Sequence, residues 1–342
     1  MTITEAKARS AASRSRVGRR AARRRGSALL AVLWLSAALA AIAFALSSTV
    51  RSETDRASTA VDGLRAYYLA RGGVERTAME LLWRAVSMGP PKIPRNATEV
   101  NYAFPSGEVR VEILPEASKL NVNRAPVQDL YRLAVALGVE PGQAQEIATA
   151  IDDWRRPAPN GGAFDLYYSS LSPSFRPAHA SIQEIEELLL VKGVTPDIFY
   201  GTYVPAESES ATAGMVPRYG LADCLSVYDS GGQVDVNTAP PPVLAALGIA
   251  PDAINALLAR RKIAPLSDQE LGSFLQSAGA TPGRLRTGAN SIVLLRATAR
   301  LRLENGQLSD LKRSVAARVK YMPPGFDQPM HVLRWYDHAW SH

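Results

Sequence analysis

Between Ser27 and Val50 the chain runs for 24 residues without a charge, SALLAVLWLSAALAAIAFALSSTV. As a helix rising about 1.5 Å per residue, that run is roughly 36 Å long and exceeds the ~30 Å hydrocarbon core of a bilayer. Arg51, Glu53, Asp55 and Arg56 end it sharply. Before it, residues 1–26 hold nine Lys/Arg and one acid, Glu5, for a charge of +8. The positive-inside rule then predicts a single-pass segment, with residues 1–26 cytoplasmic and everything after Arg51 across the membrane. A cleaved secretory signal has an apolar region of about 7–15 residues followed by small residues. This run is longer, and helical spacing continues past it.

The net charge of +7 over 342 residues resembles a nucleic-acid signal until it is located. Subtracting the +8 of residues 1–26 leaves 7 − 8 = −1 for the remaining 316. The body therefore lacks the basic footprint that draws a protein to phosphates. Cys224 is the single cysteine, so no internal disulfide forms, and it reads as a small buried apolar residue.

After the apolar run, Val61, Leu64 and Tyr68 are spaced three and four apart, and Val74, Ala78, Leu81 and Leu82 repeat the pattern beyond Gly72-Gly73. One helix from about Ser27 to Val86 is expected, bent at the glycine pair. A Pro- and Gly-rich linker follows, residues 87–100. Glu108 to Leu114 alternates polar and apolar as a half-buried strand does. Ser291–Leu303 and Leu308–Tyr321 read as two more strands around an Asn305-Gly306 turn.

Between these strands the chain repeats itself. Leu120-Asn-Val-Asn-Arg-Ala-Pro126 recurs as Val234-Asp-Val-Asn-Thr-Ala-Pro240, each leading into an apolar helix, a Leu-Gly turn and a second helix. Asn123 and Asn237 are placed as N-caps, and Gly138 and Gly248 as left-handed helix ends. Ser181 to Phe199 is a third, partial copy.

Arg23-Arg-Arg-Gly26 followed by Ser27-Ala-Leu-Leu30 resembles the leader of type IV pilins and type II secretion pseudopilins. The resemblance implies a membrane peptidase that cuts between Gly26 and Ser27, and methylation of Ser27. Most members carry Glu at the fifth mature position, where this chain has Ala31. That departure matches the protein K branch of the minor pseudopilins, which Gly26 to Trp34, Tyr68 to Glu75, Ala150 to Trp154 and Phe164 to Tyr168 also resemble. The fold this implies is α+β: a pilin-like long N-terminal helix plus a small antiparallel sheet, with a large inserted all-α domain containing helix-hairpin-helix-like repeats. The boundaries are a basic leader at 1–26, a transmembrane helix at 27–50, and an amphipathic helix with the first strand at 51–115. The inserted domain covers 116–285, the closing strands 286–322 and a flexible or docking tail 323–342.

The implied function is a non-enzymatic subunit of the bacterial inner membrane with its C-terminal domain in the periplasm. It would cap the secretion pseudopilus with other minor pseudopilins, contacting them around Val61, Leu64 and Tyr68. Lacking a carboxylate to pair with a neighbour's amine, Ala31 suits the tip. The alternative is a membrane-tethered DNA-uptake pseudopilin, since the repeats resemble a motif whose Gly-apolar-Gly turn often binds DNA phosphates. Here Glu140, Thr195 or Ala250 replaces the second glycine, and Glu140 would set an anion beside the phosphate. No nucleophile elbow, phosphate loop or metalloprotease motif is present.

Asp152, Asp153 and Asp165 flank the loop RRPAPNGGAF, residues 155–164. Calcium takes six to eight oxygens, and the resemblance implies calcium near this region in some relatives. Arg155 and Arg156 stand beside the acids, so ion pairing competes with a metal. Otherwise no cofactor is expected. If the leader is cut as implied, mass spectrometry of the membrane-bound chain gives Ser27 as its first residue; a start beyond residue 45 means ordinary signal-peptide removal instead.

Overall fold

The computed structural model describes residues 3–86, 92–94, 97–205, 215–228, 232–278, 283–288, 291–323 and 325–339, with side chains from Ala28 onward except 84–86. Half of the expected linker at 87–100 therefore lies outside the described residues. The chain divides into two compact units, Met1–Leu64 and Arg65–His342.

Helix α1 runs from Ile3 to Val86, starting well before the expected Ser27. Within the first unit its apolar stretch is exposed throughout, Trp34 at 75% and Phe44 at 77%. It is long and apolar enough to cross a membrane. Three of its hydroxyls bond back to the helix: Ser36 donates to the Val32 carbonyl (2.8 Å), and Ser48 and Thr49 both donate to Ala45 (2.8 and 2.9 Å). Each O–H so satisfied escapes the several kcal/mol cost of an unpaired polar group in lipid.

In the second unit, Ala66, Ala70, Val74, Ala78 and Leu81 of α1 are buried. Strands β1 (Glu99–Phe104) and β2 (Gly107–Pro115) form a hairpin, and β3 (Leu120–Asn121) opens the insertion. Then come α2 (Val127–Ala136), α3 (Pro141–Arg155), α4 (Asp165–Ser170) and α5 (Pro196–Tyr200). A ribbon of β4 (Thr202–Pro205) and β5 (Met215–Arg218) precedes α6 (Leu221–Cys224) and β6 (Leu225–Ser226). Next are β7 (Val234–Asp235), α7 (Pro241–Ala246), α8 (Pro251–Ile263), α9 (Asp268–Ala278) and β8 (Leu285–Arg286). The chain closes with β9 (Ile292–Arg302), β10 (Leu308–Tyr321) and β11 (Met330–Tyr336).

One five-stranded antiparallel sheet has the order β1-β2-β9-β10-β11. Val109, Val111 and Ile113 of β2 alternate inward with Val293, Leu295 and Ala297 of β9, and pack with Val74 and Ala78 of α1 in one core. The outward positions carry ion pairs instead, Arg296 with Glu112 (2.5 Å) and Arg302 with Glu108 (3.0 Å). A second core, from Leu120 to Leu285, fills the insertion.

Three expectations change. The sheet gains β1, and the C-terminal segment read as a flexible or docking tail supplies β11, an edge strand pairing with β10 from Ala316↔Tyr336 to Tyr321↔Met330. Asp337, just beyond, accepts from the Tyr67 hydroxyl (2.7 Å) and the Trp335 indole (3.0 Å), fastening that end to α1. The insertion is not all-α, because β3 pairs with β6 and β7 with β8, both parallel, while β4 pairs with β5. Asn123 and Asn237 do not cap helices; Pro126 and Pro240 occupy those positions. As expected of one long helix, α1 is helical through Gly72-Gly73. Gly73 is there for proximity: a Cβ on it would lie 2.5 Å from Val109 Cγ1, whereas one on Gly72 would meet nothing within 4 Å.

This contrast gives opposite outcomes for adjacent substitutions. Gly73→Ala must push Val109 aside and should cost on the order of 1–3 kcal/mol. Gly72→Ala removes backbone freedom from an open helical site and should stabilise by about 0.5–1 kcal/mol. Chemical denaturation of the two variants checks this, and equal losses would mean that the helix does not approach the sheet so closely.

Candidate functional site

Three places on the chain carry the features that a function needs: the apolar N-terminal part of α1, its exposed face in the second unit, and the acidic loop after α3. At the first, Gly26 and Ser27 lie within α1, their surroundings outside the described residues, and Ala31 is exposed. Val61 and Leu64, which end the first unit, are 48% and 56% exposed.

In the second unit Tyr68 is also exposed, together with Met79 and Trp83. Sequence reasoning missed the last two. They continue the helical spacing from Tyr68 through Gly72, and that recurrence was their available signal. A groove of about 390 Å³ beside them is lined by Arg76, Met79, Glu80, Trp83 and Lys92.

The acidic loop separates its carboxylates. Asp152 Oδ1 accepts from Arg155 (2.7 Å) and Arg156 (3.0 Å), the ion pairing weighed against a metal above. Asp153 turns the other way. Its Oδ1 accepts from the Ala163 N–H (2.9 Å), while its Oδ2 is buried with no hydrogen-bond partner. Asp165 Oδ2 accepts from the Gly162 N–H (2.9 Å), and Asp165 Oδ1 lies 2.8 Å from His179 Nε2. The other ring nitrogen of His179, Nδ1, lies 3.0 Å from the Asp153 carbonyl oxygen. Asp153, Asp165 and His179 thus converge, one ligand-capable atom of each within 4.8 Å of the others. Asp152 stays out, and His179, which no spacing linked to the acids, comes in.

Backbone geometry shapes this cluster. His179 has φ +43°, the left-handed region that L residues other than Asn, Asp and His rarely adopt. A Cβ on Gly162 would lie 2.3 Å from His179 Cε1 and 2.6 Å from Asp153 Oδ2, so only glycine leaves the ring its place. The Gly162 N–H, and after it His179, hold the Asp165 carboxyl below the usual carboxylate range. Burial works against a charged His179, yet Asp165 and the Asp153 carbonyl raise its pKa overall. For calcium the set fits poorly: one of its three donors is a nitrogen, and Asp152 is committed to arginines.

The two helix pairs repeat in atomic detail. Asn123 bonds both backbone groups of Ile182, donating to its O (2.9 Å) and accepting from its N (2.8 Å). Asn237 does the same with Leu266 (3.0 and 2.7 Å). Arg155 donates to the carbonyls of Val122 and Ala125, and Arg261 to those of Val236 and Ala239. Gly138 and Gly248 have φ of +80° and +85°. At the turn where a phosphate would sit, Glu140 Oε2 accepts from the Gly142 and Gln143 N–H groups (2.8 and 3.2 Å). The anion slot at the start of α3 is filled by the chain's own carboxylate.

Because Gly162 cradles the ring so closely, Gly162→Ala should expel His179 and destabilise by roughly 1–3 kcal/mol. A thermal melt unchanged by this substitution would show that the ring does not occupy the cradle.

Comparison with known proteins places these features. Residues 111–201, from β2 through the first helix pair and acidic loop to α5, match the family model of type II secretion system (T2SS), protein K. The type II secretion system protein K of Klebsiella pneumoniae is 28% identical over 198 residues, covering 52% of this chain and 60% of the relative. The Pectobacterium carotovorum protein of the same description is 27% identical over 200 residues, again covering 60% of its length. That of Pseudomonas aeruginosa is 24% identical over 245 residues, covering 65% and 67%. The chain therefore spans about three fifths of the first two relatives. In fold it resembles a chain in the crystal structure of the GspK-GspI-GspJ complex from the enterotoxigenic Escherichia coli type 2 secretion system. The TM-score there is 0.50 at 16% identity, covering 81% of this chain and 98% of that one. The family match over residues 111–201, the relatives and this shared fold agree in what the chain is similar to, type II secretion system protein K.

Proposed function

We propose that this chain caps the tip of the periplasmic pseudopilus and helps its assembly for protein export across the outer membrane. The observation that carries this reading is the exposed apolar face of α1. Tyr68, Met79 and Trp83 face away from Ala70, Val74 and Leu81, which the sheet covers. A helix apolar on two opposite sides needs a second partner. Val61 and Leu64 extend the same spacing toward the membrane. The partners that fit are the long helices of other minor pseudopilins; the structural neighbour is itself named for a complex with GspI and GspJ.

In this reading the basic leader stays in the cytoplasm, prepilin peptidase cuts after Gly26, and α1 anchors the periplasmic domain in the inner membrane. Ala31 supports a terminal position, because a subunit without the fifth-position carboxylate has nothing to pair with an amine above it. The role requires no catalysis. The DNA-uptake alternative loses ground to Glu140, which holds a carboxylate where the phosphate would bind.

Introducing a charge on the stripe tests the interface. Leu64→Arg or Tyr68→Arg removes a buried apolar contact worth about 1.5–3 kcal/mol, so co-purification with the other minor pseudopilins should fall roughly tenfold or more. Both positions are exposed in the isolated chain, so its melting temperature should not change. Undiminished co-purification would place the interface elsewhere. Cysteine cross-links from Ala31 to subunits both above and below it along the fibre would rule out the tip.

A further inference from the structure

The cluster of Asp153, Asp165 and His179 poses a problem of charge. Two carboxylates face one another across a tight loop, and one carboxylate oxygen, Asp153 Oδ2, is buried without a partner. Such an arrangement is stabilised by a positive charge within it. A metal ion is the usual answer, but the donor set is short of oxygens and the third ligand is an imidazole.

The hydrogen bonds supply another answer. A carbonyl oxygen can only accept, so His179 Nδ1, 3.0 Å from the Asp153 carbonyl, must carry a proton. Nε2 lies 2.8 Å from Asp165 Oδ1. The second Asp165 oxygen accepts from the Gly162 N–H, an arrangement that favours an ionised carboxylate. An ionised carboxylate also only accepts, so Nε2 carries a proton too. Both ring nitrogens donate only in the imidazolium. The ring's Cε1 edge borders the orphaned Asp153 Oδ2, since the same point above Gly162 is 2.3 Å from one and 2.6 Å from the other.

We propose that the imidazolium of His179 is the resident cation of this loop, filling from within the chain the place that a metal ion would take, so that the loop closes without metal. The left-handed backbone of His179 and the bare Cα of Gly162 are the two local accommodations that admit the ring. The charged groups around it agree with this assignment. On α3, Asp153 faces the ring, while Asp152 is neutralised by Arg155 and Arg156. From α4 comes Asp165, whose carboxyl also feels Arg176. Tyr168 accepts from the Lys192 N–H (3.0 Å), and the Lys192 ammonium pairs with Glu146 and lies over Phe164 and Tyr167, so this lysine is engaged away from the two acids.

A histidine whose folded pKa lies above its unfolded one contributes stability that is complete below the unfolded value, about 6.5, and is lost as pH rises through the folded value. The test uses the full chain in detergent micelles with 13C-labelled histidine. The neutral comparator is His179→Asn, because Asn tolerates the left-handed backbone. The His179 signal, identified by its loss in that variant, should titrate above the ordinary histidine range. In EDTA, the gap in melting temperature between wild type and variant should be widest near pH 6 and should narrow by about pH 8.5. Millimolar calcium or micromolar zinc added to wild type at about pH 7 should leave its melting temperature unchanged. A rise with either metal that Asp153→Asn abolishes would overturn the proposal in favour of a metal site. So would a His179 ring that is already neutral near pH 6. If His179→Asn does not fold, Asp165→Asn identifies the signal by shifting its midpoint downward, and the wild-type titration decides alone.

Discussion

The buried pair of Glu116 and Arg318 ties the two cores of the second unit to one another. Glu116 is the first residue after β2 and is 1% exposed; Arg318 lies on β10 and is 7% exposed. Their bond is 2.8 Å, and the other Glu116 oxygen accepts from Ser226 of β6 (2.5 Å), inside the insertion. One carboxylate thus joins sheet to insertion. Burial pushes that carboxyl up, but Lys119, Arg318 and the Ser226 hydroxyl together hold it below its ordinary range. Arg318 is held in turn by the ring of Tyr228 at 4.2 Å and the Tyr336 hydroxyl. A buried pair of this kind adds little beyond what an apolar pair would, but losing one partner strands a charge at a cost of about 3–5 kcal/mol. Its main contribution is register, since donors from β10 and β6 meet on one carboxylate.

Inside the insertion the same economy appears twice. Each helix pair begins with a turn whose carbonyls would be orphans, and each ends with an arginine that returns to satisfy them. Each Asn-containing turn also grips a backbone segment much further along the chain. These devices make short helices of 6 to 15 residues stable, where isolated helices of that length are marginal. At the start of α3 the N–H groups that a helical hairpin would offer to a phosphate are taken within the fold. Glu140 is the residue that takes them, and a near-neutral body fits this.

Much of the fold was legible because it is written locally. Asn305-Gly306 between two β-branched runs specifies the β9–β10 hairpin, and Gly138 and Gly248 mark helix ends that need a left-handed residue. What escaped depends on distant partners. Asn123 reaches 59 residues along the chain and Asn237 reaches 29, so local capping rules misplaced both. Strand β11 is an edge strand without alternation, exposed on Val332 and Leu333, and only β10 gives it a reason to extend. Two-residue strands such as β3 and β7 are too short for any periodicity. In the acidic loop, the arginines beside Asp152 announced their pairing by proximity. His179 lies 26 residues from Asp153 and 14 from Asp165, and folding alone brings it to them.

The place where the insertion joins the sheet bears on how the molecule would carry force. The insertion leaves at Pro115 and returns at the start of β9, and Pro115 and Val293 are direct partners across adjacent antiparallel strands. Its entry and exit are therefore neighbours. A pull along α1 would pass into the sheet through the Gly73–Val109 contact and across the β2–β9 ladder, leaving the insertion as a side branch under no tension. A lobe joined in this way, and seated by the Glu116–Arg318 pair, can bind or be loaded without slackening the strand ladder beside it.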